Sequence, residues 1–143
     1  MRHFKVRSVR LIKWGGWLIV FYGAAHTLGA LIVEGAARHA AAWFSGQLWG
    51  QDLADMSPEN SALWLSLNSF GVPIIVIGLV VLWLDQRDIT PPQFIPWILG
   101  LWTLIDAVIS MFTPWPILLI ANILLWIGIR RASERDITTS NAP

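Results

Sequence analysis

The chain has 143 residues, enough for one domain, and only 13% of them are charged against 55% that are hydrophobic. About half the charge of a typical soluble domain is missing, so lipid is the natural solvent for its surface. The absence of cysteine excludes disulfides, thiolate metal sites and thiol redox chemistry, and a net charge of +1 without a basic stripe gives no support for nucleic-acid binding.

Four apolar stretches along the chain predict four transmembrane helices. A helix needs about 20 apolar residues to cross roughly 30 Å of hydrocarbon, where the backbone must satisfy its own hydrogen bonds. The stretches run from about Trp14 to Val33, Ala62 to Leu84, Phe94 to Phe112 and Pro114 to Ile129. The first three reach the required length, and the fourth is slightly short. The sequence therefore predicts an all-α membrane protein, a four-transmembrane-helix bundle.

A hydroxyl residue followed by proline precedes three of these stretches. The pairs are Ser57-Pro58, Thr90-Pro91 and Thr113-Pro114. The hydroxyl accepts from free N–H groups at the start of a helix, and proline fits the first helical position because no N–H is needed there. The pairs predict where the second, third and fourth helices begin.

The positions of lysine and arginine predict the orientation, because segments rich in them stay on the cytoplasmic side. Five precede the first stretch, Arg87 lies between the second and third, and three follow the fourth, whereas the first loop contains Arg38 together with four acidic residues, Glu34, Asp52, Asp55 and Glu59. We expect residues 1–13 to be a basic cytoplasmic N-terminus, residues 14–131 the four-helix domain, and residues 132–143 a disordered cytoplasmic tail. The first stretch is longer than the apolar core of a cleaved signal peptide, so we expect it to be retained.

The first loop, residues 34–60, is the one long connection. Within it, apolar and amphipathic residues recur at helical spacing, namely Ala40, Trp43, Phe44, Gln47 and Leu48. This pattern predicts a short amphipathic interfacial helix on the outer membrane surface. Such a helix is either a cap over the bundle or a binding element, and the sequence leaves both open.

One polar side chain interrupts each apolar stretch, and these residues are the main functional candidates. They are His26, Asn68, Asp106 and Asn122. At the rise of an α-helix, each lies about 9–12 Å from the predicted outer end of its helix. We therefore expect one buried polar layer in the outer half of the bundle. Tyr22 and Thr27, close to His26 on the first helix, complete the candidate set for binding a ligand or a proton.

Asp106 is the most informative member of this layer. A carboxylate in the middle of a membrane helix costs about 2.5–3.5 kcal/mol, so Asp106 needs a partner. His26 is the other ionisable group expected at that level, with Asn68, Asn122 or a buried water as a bridge between diagonally opposite helices. Two interpretations stay open: the layer hydrogen-bonds the helices together, or it binds a ligand or a proton.

Two functions follow from these interpretations. The first is a non-enzymatic membrane protein that binds a lipid or small apolar ligand in an outer-leaflet polar pocket between helices. The second is a membrane enzyme or proton-coupled carrier in which His26 and Asp106 act as acid and base, and a carrier would need a homodimer to form a path. We expect no metal or cofactor, because His3 and His39 are predicted on opposite faces of the membrane and cannot complete a site with His26.

The first stretch carries Gly-Ala-Ala-His-Thr-Leu-Gly at residues 23–29, and a loop rich in tryptophan follows. The second stretch ends in Val-Leu-Trp-Leu-Asp at residues 81–85, and a proline-containing start opens the third. In these features residues 12–131 resemble a family of small uncharacterised four-helix bacterial membrane proteins, classed as a domain of unknown function. The most specific element is the His-Thr-x-Gly that begins at His26. The resemblance implies a bacterial inner membrane and a four-helix bundle, and it implies no activity.

Overall fold

The computed structural model describes residues 10–52, 54–110 and 113–140, with side chains described as far as residue 134. Helices and turns make up these residues, and no strand occurs among them, which confirms the predicted all-helical fold for this part of the chain. The first nine residues of the predicted basic N-terminus, the predicted helix end at Phe112 and the last three residues of the tail lie outside the described residues.

Six α-helices follow one another in the described chain. They are α1 (Arg10–Leu28), α2 (Ala40–Phe44), α3 (Pro58–Leu65), α4 (Gly71–Gln86), α5 (Phe94–Ile109) and α6 (Trp115–Ser140). A π-helical turn, Gly29–Val33, extends α1. Two segments are long and apolar enough to cross a membrane, Arg10–Val33 and Trp115–Glu134, whereas α4 and α5 are apolar but shorter. Helix length therefore supports two of the four predicted spans.

The second predicted span, Ala62 to Leu84, is not one continuous helix. The chain leaves the helix after α3, forms a turn over residues 66–70, and becomes helical again in α4. The Ser66 hydroxyl donates to the Ala62 carbonyl at 2.6 Å. This side-chain bond competes with the backbone hydrogen bonds of a regular helix at that carbonyl. Pro73 has no N–H with which to continue helical bonding across the turn. These local features explain the break.

The predicted interfacial helix is present but shorter than expected. α2 occupies Ala40–Phe44, and the predicted members Gln47 and Leu48 lie in the turns that follow. Gly46 adopts a φ of 81°, a left-handed conformation that glycine reaches without steric cost and that commonly ends helices. The apolar pattern continues past the point where the backbone stops being helical.

The helix starts also differ in part from the predictions. α3 begins at Pro58, as predicted, whereas α5 begins after Gln93 and α6 begins at Trp115. At its other end α6 continues to Ser140, past the predicted end at Ile129 and into the segment expected to be disordered.

Two compact units divide the chain: unit 1 comprises Met1–Val20 and Val76–Pro143, and unit 2 comprises Phe21–Ile75. In unit 1, glycines allow helices to approach closely. A Cβ on Gly16 would lie 2.9 Å from the Leu82 side chain in α4, and one on Gly128 in α6 would lie 2.7 Å from the Ile12 side chain. The start of α1, the end of α4 and the part of α6 around Gly128 therefore lie at the same end of unit 1.

In unit 2, the first loop is attached to α3. The Trp43 indole N–H donates to the Glu59 carbonyl at 2.9 Å, and His39 Nδ1 lies 3.8 Å from Glu59 Oε1. The Ser57 hydroxyl accepts from the Asn60 N–H at 3.2 Å, so Ser57 caps α3 as its sequence pattern predicts. Hydrogen bonds from the backbone N–H of Glu59 and from the Ser57 hydroxyl lower the pKa of the Glu59 carboxyl. The ionised carboxylate therefore contributes to the stability of the fold, and this contribution is lost as the pH falls through the lowered pKa.

We expect Ser57→Ala to destabilise α3 by about 1 kcal/mol, because the cap of its first turn is lost. Hydrogen exchange of the α3 amides should then accelerate about fivefold. Ser57→Asp keeps an acceptor at the same position and is the control. Exchange rates in Ser57→Ala that match those of the wild type would contradict the capping role.

Candidate functional site

His26 on α1 is held by a serine from the turn between α3 and α4. Its Nε2 lies 2.8 Å from Ser69 Oγ, and both side chains are partly buried. Asn68, which the sequence predicted for the buried layer, is exposed, and its backbone N–H bonds to the Leu63 carbonyl at 3.0 Å. The structure therefore places Ser69, and not its neighbour Asn68, against His26.

Aromatic rings fix the orientation of the imidazole. The Phe70 ring stacks on His26 with centroids 4.0 Å apart and planes inclined by 30°. The buried Tyr22 ring stacks on Phe70 at 6.3 Å. Tyr22, chosen from the sequence, thus belongs to the surroundings of His26 through Phe70, a residue that the sequence analysis missed.

Thr27 lies where α1 and the first turn of α4 come closest. A Cβ on Gly71 would collide with Thr27 Oγ1 and would lie 3.0 Å from the Gly23 carbonyl oxygen. Thr27 is buried, and its hydroxyl has no hydrogen-bond partner among the described residues. An unsatisfied buried hydroxyl costs about 1–3 kcal/mol, so this contact is stabilised by close packing and not by a hydrogen bond from Thr27.

Asp106 and Asn122 belong to unit 1 and have different partners. The Thr113 hydroxyl donates to Asp106 Oδ2 at 2.9 Å, across the turn between α5 and α6. The Asn122 Nδ2 group donates to Thr103 Oγ1 at 3.2 Å and to the Leu118 carbonyl at 2.9 Å. Thr103 precedes Asp106 by about one turn of α5, so these two polar contacts lie at different levels.

The six candidates are therefore distributed over both units. Tyr22, His26 and Thr27 lie together in unit 2. Asp106, proposed from the sequence as the acid–base partner of His26, belongs to unit 1. The sequence analysis did not identify Ser69 as the partner of His26 or Thr113 as the partner of Asp106. A run of polar and helix-breaking residues in the second apolar stretch does indicate the turn that carries Ser69. That run consists of Ser66, Asn68, Ser69, Gly71 and Pro73.

A groove with a volume of about 540 Å³ lies between α5 and α6. Its walls are apolar and consist of Pro96, Trp97, Ile98, Gly100, Leu101, Leu104, Leu119, Ile123 and Trp126. Asn122 also borders the groove, but its Oδ1 is buried without a hydrogen-bond partner in the described chain. Small-molecule sites typically measure about 300–1,000 Å³ and have largely apolar walls with a few polar groups, as this groove does.

Among the residues that the structure describes, no three His, Asp or Glu side chains are grouped so that they could hold a metal ion. Comparison with known proteins finds no family model, no curated protein and no solved structure that matches the chain.

Proposed function

We propose that this chain is a small multi-pass protein of the bacterial inner membrane, with four helices across the bilayer and both termini in the cytoplasm. We further propose that it holds an acyl chain of a membrane lipid in the groove between α5 and α6. The apolar groove is the observation that carries the ligand proposal.

The exposed face of α5 supports placement in lipid. Its large apolar side chains are each at least 49% exposed, and they are Phe94, Trp97, Ile98, Leu101, Leu104, Ile105, Val108 and Ile109. A soluble monomer rarely exposes a contiguous apolar patch larger than a few hundred Å². Exposure of such a patch to water is unfavourable, and surrounding hydrocarbon avoids it, because a lipid tail is as apolar as leucine.

The two short helices are compatible with crossing a bilayer. α4 and α5 have 16 residues each, which corresponds to about 24 Å, and the hydrocarbon is roughly 30 Å thick. Local thinning of the bilayer costs only fractions of a kcal/mol per Å. For α4, the preceding turn and α3 extend the crossing, and irregular backbone is tolerated at that depth where it is buried in protein. Within this turn Ser66 is 0% exposed and meets that requirement, whereas Leu67, Asn68 and Phe70 are exposed.

The basic residues of unit 1 support a cytoplasmic position for one of its ends. Lys13 lies near the start of α1, Arg87 directly follows α4, and Arg130 lies in α6 just after Gly128. The glycine contacts described above bring these three segments to the same end of the unit. Because positively charged segments remain on the cytoplasmic side, this end is the one that we assign to the cytoplasm.

Two arginine–tryptophan pairs strengthen this assignment. The Arg87 guanidinium lies 4.4 Å from the centre of the Trp83 ring, and the Arg130 guanidinium lies 5.0 Å from that of Trp126. Tryptophan favours the membrane–water boundary, and arginine extends its charge from apolar surroundings toward water. Each pair therefore suits the interface between hydrocarbon and cytoplasm.

A lipid chain is the occupant that fits the groove best, because the groove is continuous with the exposed apolar face of α5. Trp97, Ile98, Leu101 and Leu104 belong both to that face and to the lining of the groove. Any molecule in the groove would therefore share a border with the surrounding hydrocarbon. An acyl chain meets both environments without exposing a polar group to either.

We expect a phospholipid with a photoreactive diazirine in its acyl chain to crosslink to the groove residues of the protein in lipid nanodiscs. Gly100→Phe should reduce the crosslinks about tenfold, the equivalent of roughly 1.4 kcal/mol, because the new ring enters open space at the groove. Peptide mass spectrometry locates and quantifies the crosslinks.

Val108→Phe is the matched control, because Val108 is 82% exposed on the same helix and does not line the groove. Equal groove crosslinking in the wild type and in Gly100→Phe would contradict the proposed binding of an acyl chain. A loss of crosslinks in Val108→Phe would show that an added ring on α5 acts nonspecifically.

The alternative function, a membrane enzyme or proton-coupled carrier based on His26 and Asp106, stays a prediction. In the structure His26 Nε2 is bonded to Ser69 and Asp106 Oδ2 accepts from Thr113, so each of the two groups has a hydroxyl partner of its own. Lipid binding is favoured because the groove that would hold the acyl chain is already formed in the structure.

A further inference from the structure

The contact between His26 and Ser69 has the composition of a nucleophile and its base. The 2.8 Å separation between His26 Nε2 and Ser69 Oγ is within reach of proton transfer. A serine hydroxyl is a weak nucleophile, and an adjacent imidazole that accepts its proton is the usual means of activating it. With the imidazole protonated at Nδ1, Nε2 is the acceptor that faces the hydroxyl.

The surroundings hold this pair in place from both sides. The Phe70 ring stacked at 4.0 Å restricts rotation of the imidazole. On the other side, the close approach of Gly71 to the Gly23 carbonyl fixes the turn that carries Ser69 relative to α1. Catalytic groups need this kind of fixed geometry, because small displacements of reacting atoms lower the rate strongly.

The two serines of this turn differ in a way that singles out Ser69. Ser66 is 0% exposed, and its hydroxyl donates to the Ala62 carbonyl at 2.6 Å, so its proton is already engaged in a short bond. Ser69 is partly exposed, and its hydroxyl proton has a second acceptor in the Ser66 carbonyl at a longer 3.1 Å. Ser69 is therefore the reachable serine, and its proton is free to move between two acceptors.

A source of positive potential lies beside the same oxygen. Ser69 precedes α4 by two positions in the chain, and the backbone N–H of Gly71, the first residue of α4, points toward Ser69 Oγ at 3.5 Å. The N-terminus of a helix carries partial positive charge, which stabilises an anion that forms next to it. The Gly71 N–H therefore favours negative charge on Ser69 Oγ as that oxygen gives up its proton.

We infer that Ser69 is a nucleophile for carboxylic esters and that His26 is its general base, a catalytic activity that goes beyond lipid binding and uses different residues. Ser69 Oγ attacks the ester carbonyl carbon while its proton passes to His26 Nε2. The tetrahedral intermediate collapses, the alcohol leaves with the proton from His26, and an acyl group remains on Ser69. Water, deprotonated by His26, then attacks the acyl carbonyl and releases the carboxylic acid and the free serine.

A fluorophosphonate probe tests this inference without knowledge of the natural ester. The full chain in detergent micelles is incubated with the probe, whose fluoride is displaced when an activated serine oxygen attacks phosphorus. We expect one phosphonate adduct per chain, located on Ser69 by peptide mass spectrometry. Ser69→Ala should abolish the adduct, and His26→Gln, which can still hydrogen-bond but cannot accept the proton, should slow its formation by about 100-fold or more.

Ser45→Ala is the matched control, because Ser45 is more exposed than Ser69 and its hydroxyl donates to the Ala42 carbonyl, with no histidine partner among the described residues. It should react at the wild-type rate. The inference is overturned by a wild-type protein that forms no adduct, by an adduct on Ser45 or another serine, or by His26→Gln reacting as fast as the wild type. The location of the adduct in the wild type decides the matter even if a variant fails to fold, and groove crosslinking is unaffected by either outcome.

Discussion

Gly71→Ala is expected to lower the free energy of unfolding by about 2–3 kcal/mol, a large loss for the addition of one methyl group. The new Cβ would collide with Thr27 Oγ1 and would lie 3.0 Å from the Gly23 carbonyl oxygen. The threonine side chain can rotate, but the Gly23 carbonyl belongs to the backbone of α1 and moves only with the helix. Unfolding in detergent with increasing denaturant, followed by circular dichroism, measures the loss.

Gly100→Ala is the control for this experiment, because a Cβ on Gly100 meets nothing within 4 Å. Alanine is favoured over glycine inside a helix by about 1 kcal/mol, so this variant should be as stable as the wild type or more stable. Equal destabilisation by the two variants would show that the close approach at Gly71 is not what stabilises unit 2.

The sequence predicted the helical segments better than their ends. Ser57 caps α3 as its Ser-Pro pattern indicates, because capping depends on residues adjacent in the chain. Thr113, in a similar Thr-Pro pair, instead donates its hydroxyl to Asp106 and to the Ser110 carbonyl. A hydroxyl residue before proline can therefore either cap the following helix or hydrogen-bond to the preceding one. Thr113 does the second because the Asp106 carboxylate lies within its reach, and the Thr-Pro pair alone does not show this.

The second large effect is expected for Leu101→Arg in the middle of α5. If α5 spans the bilayer, an arginine at its centre costs about 3 kcal/mol on insertion scales, or roughly a 100-fold change in the ratio of inserted to uninserted helix. Leu101 is 63% exposed, so in a water-soluble protein the same change would cost almost nothing. The fraction of chains that resist extraction from membranes by alkaline carbonate, and the accessibility of the turn after α5 to a glycosylation tag, report the outcome.

Trp49→Arg provides the comparison, because Trp49 is 87% exposed in the first loop and lies outside the helices. It should insert as well as the wild type does. Leu101→Ala separates the effect of charge from the loss of the leucine side chain. Normal insertion of Leu101→Arg would remove the main support for a membrane position of α5.

The candidate site was predictable in part. The sequence selected His26, Tyr22 and Thr27, because polar residues in apolar helices are rare enough to be noticed. It assigned Asn68 to the layer by counting residues along a continuous helix, and that count fails once the chain forms a turn after α3. The turn exposes Asn68 and brings Ser69 to His26 instead. Placement of side chains by helical rise is reliable only as far as the helix is unbroken.

The hydrogen bond from Thr113 to Asp106 also has a consequence for biosynthesis. It ties the end of α5 to the start of α6 across a short turn that carries no lysine or arginine. Closing so short a loop costs little entropy, and a turn without positive charge is translocated easily. If α5 and α6 cross the bilayer as proposed, these two helices are therefore suited to leave the ribosome and insert together, as a preformed hairpin.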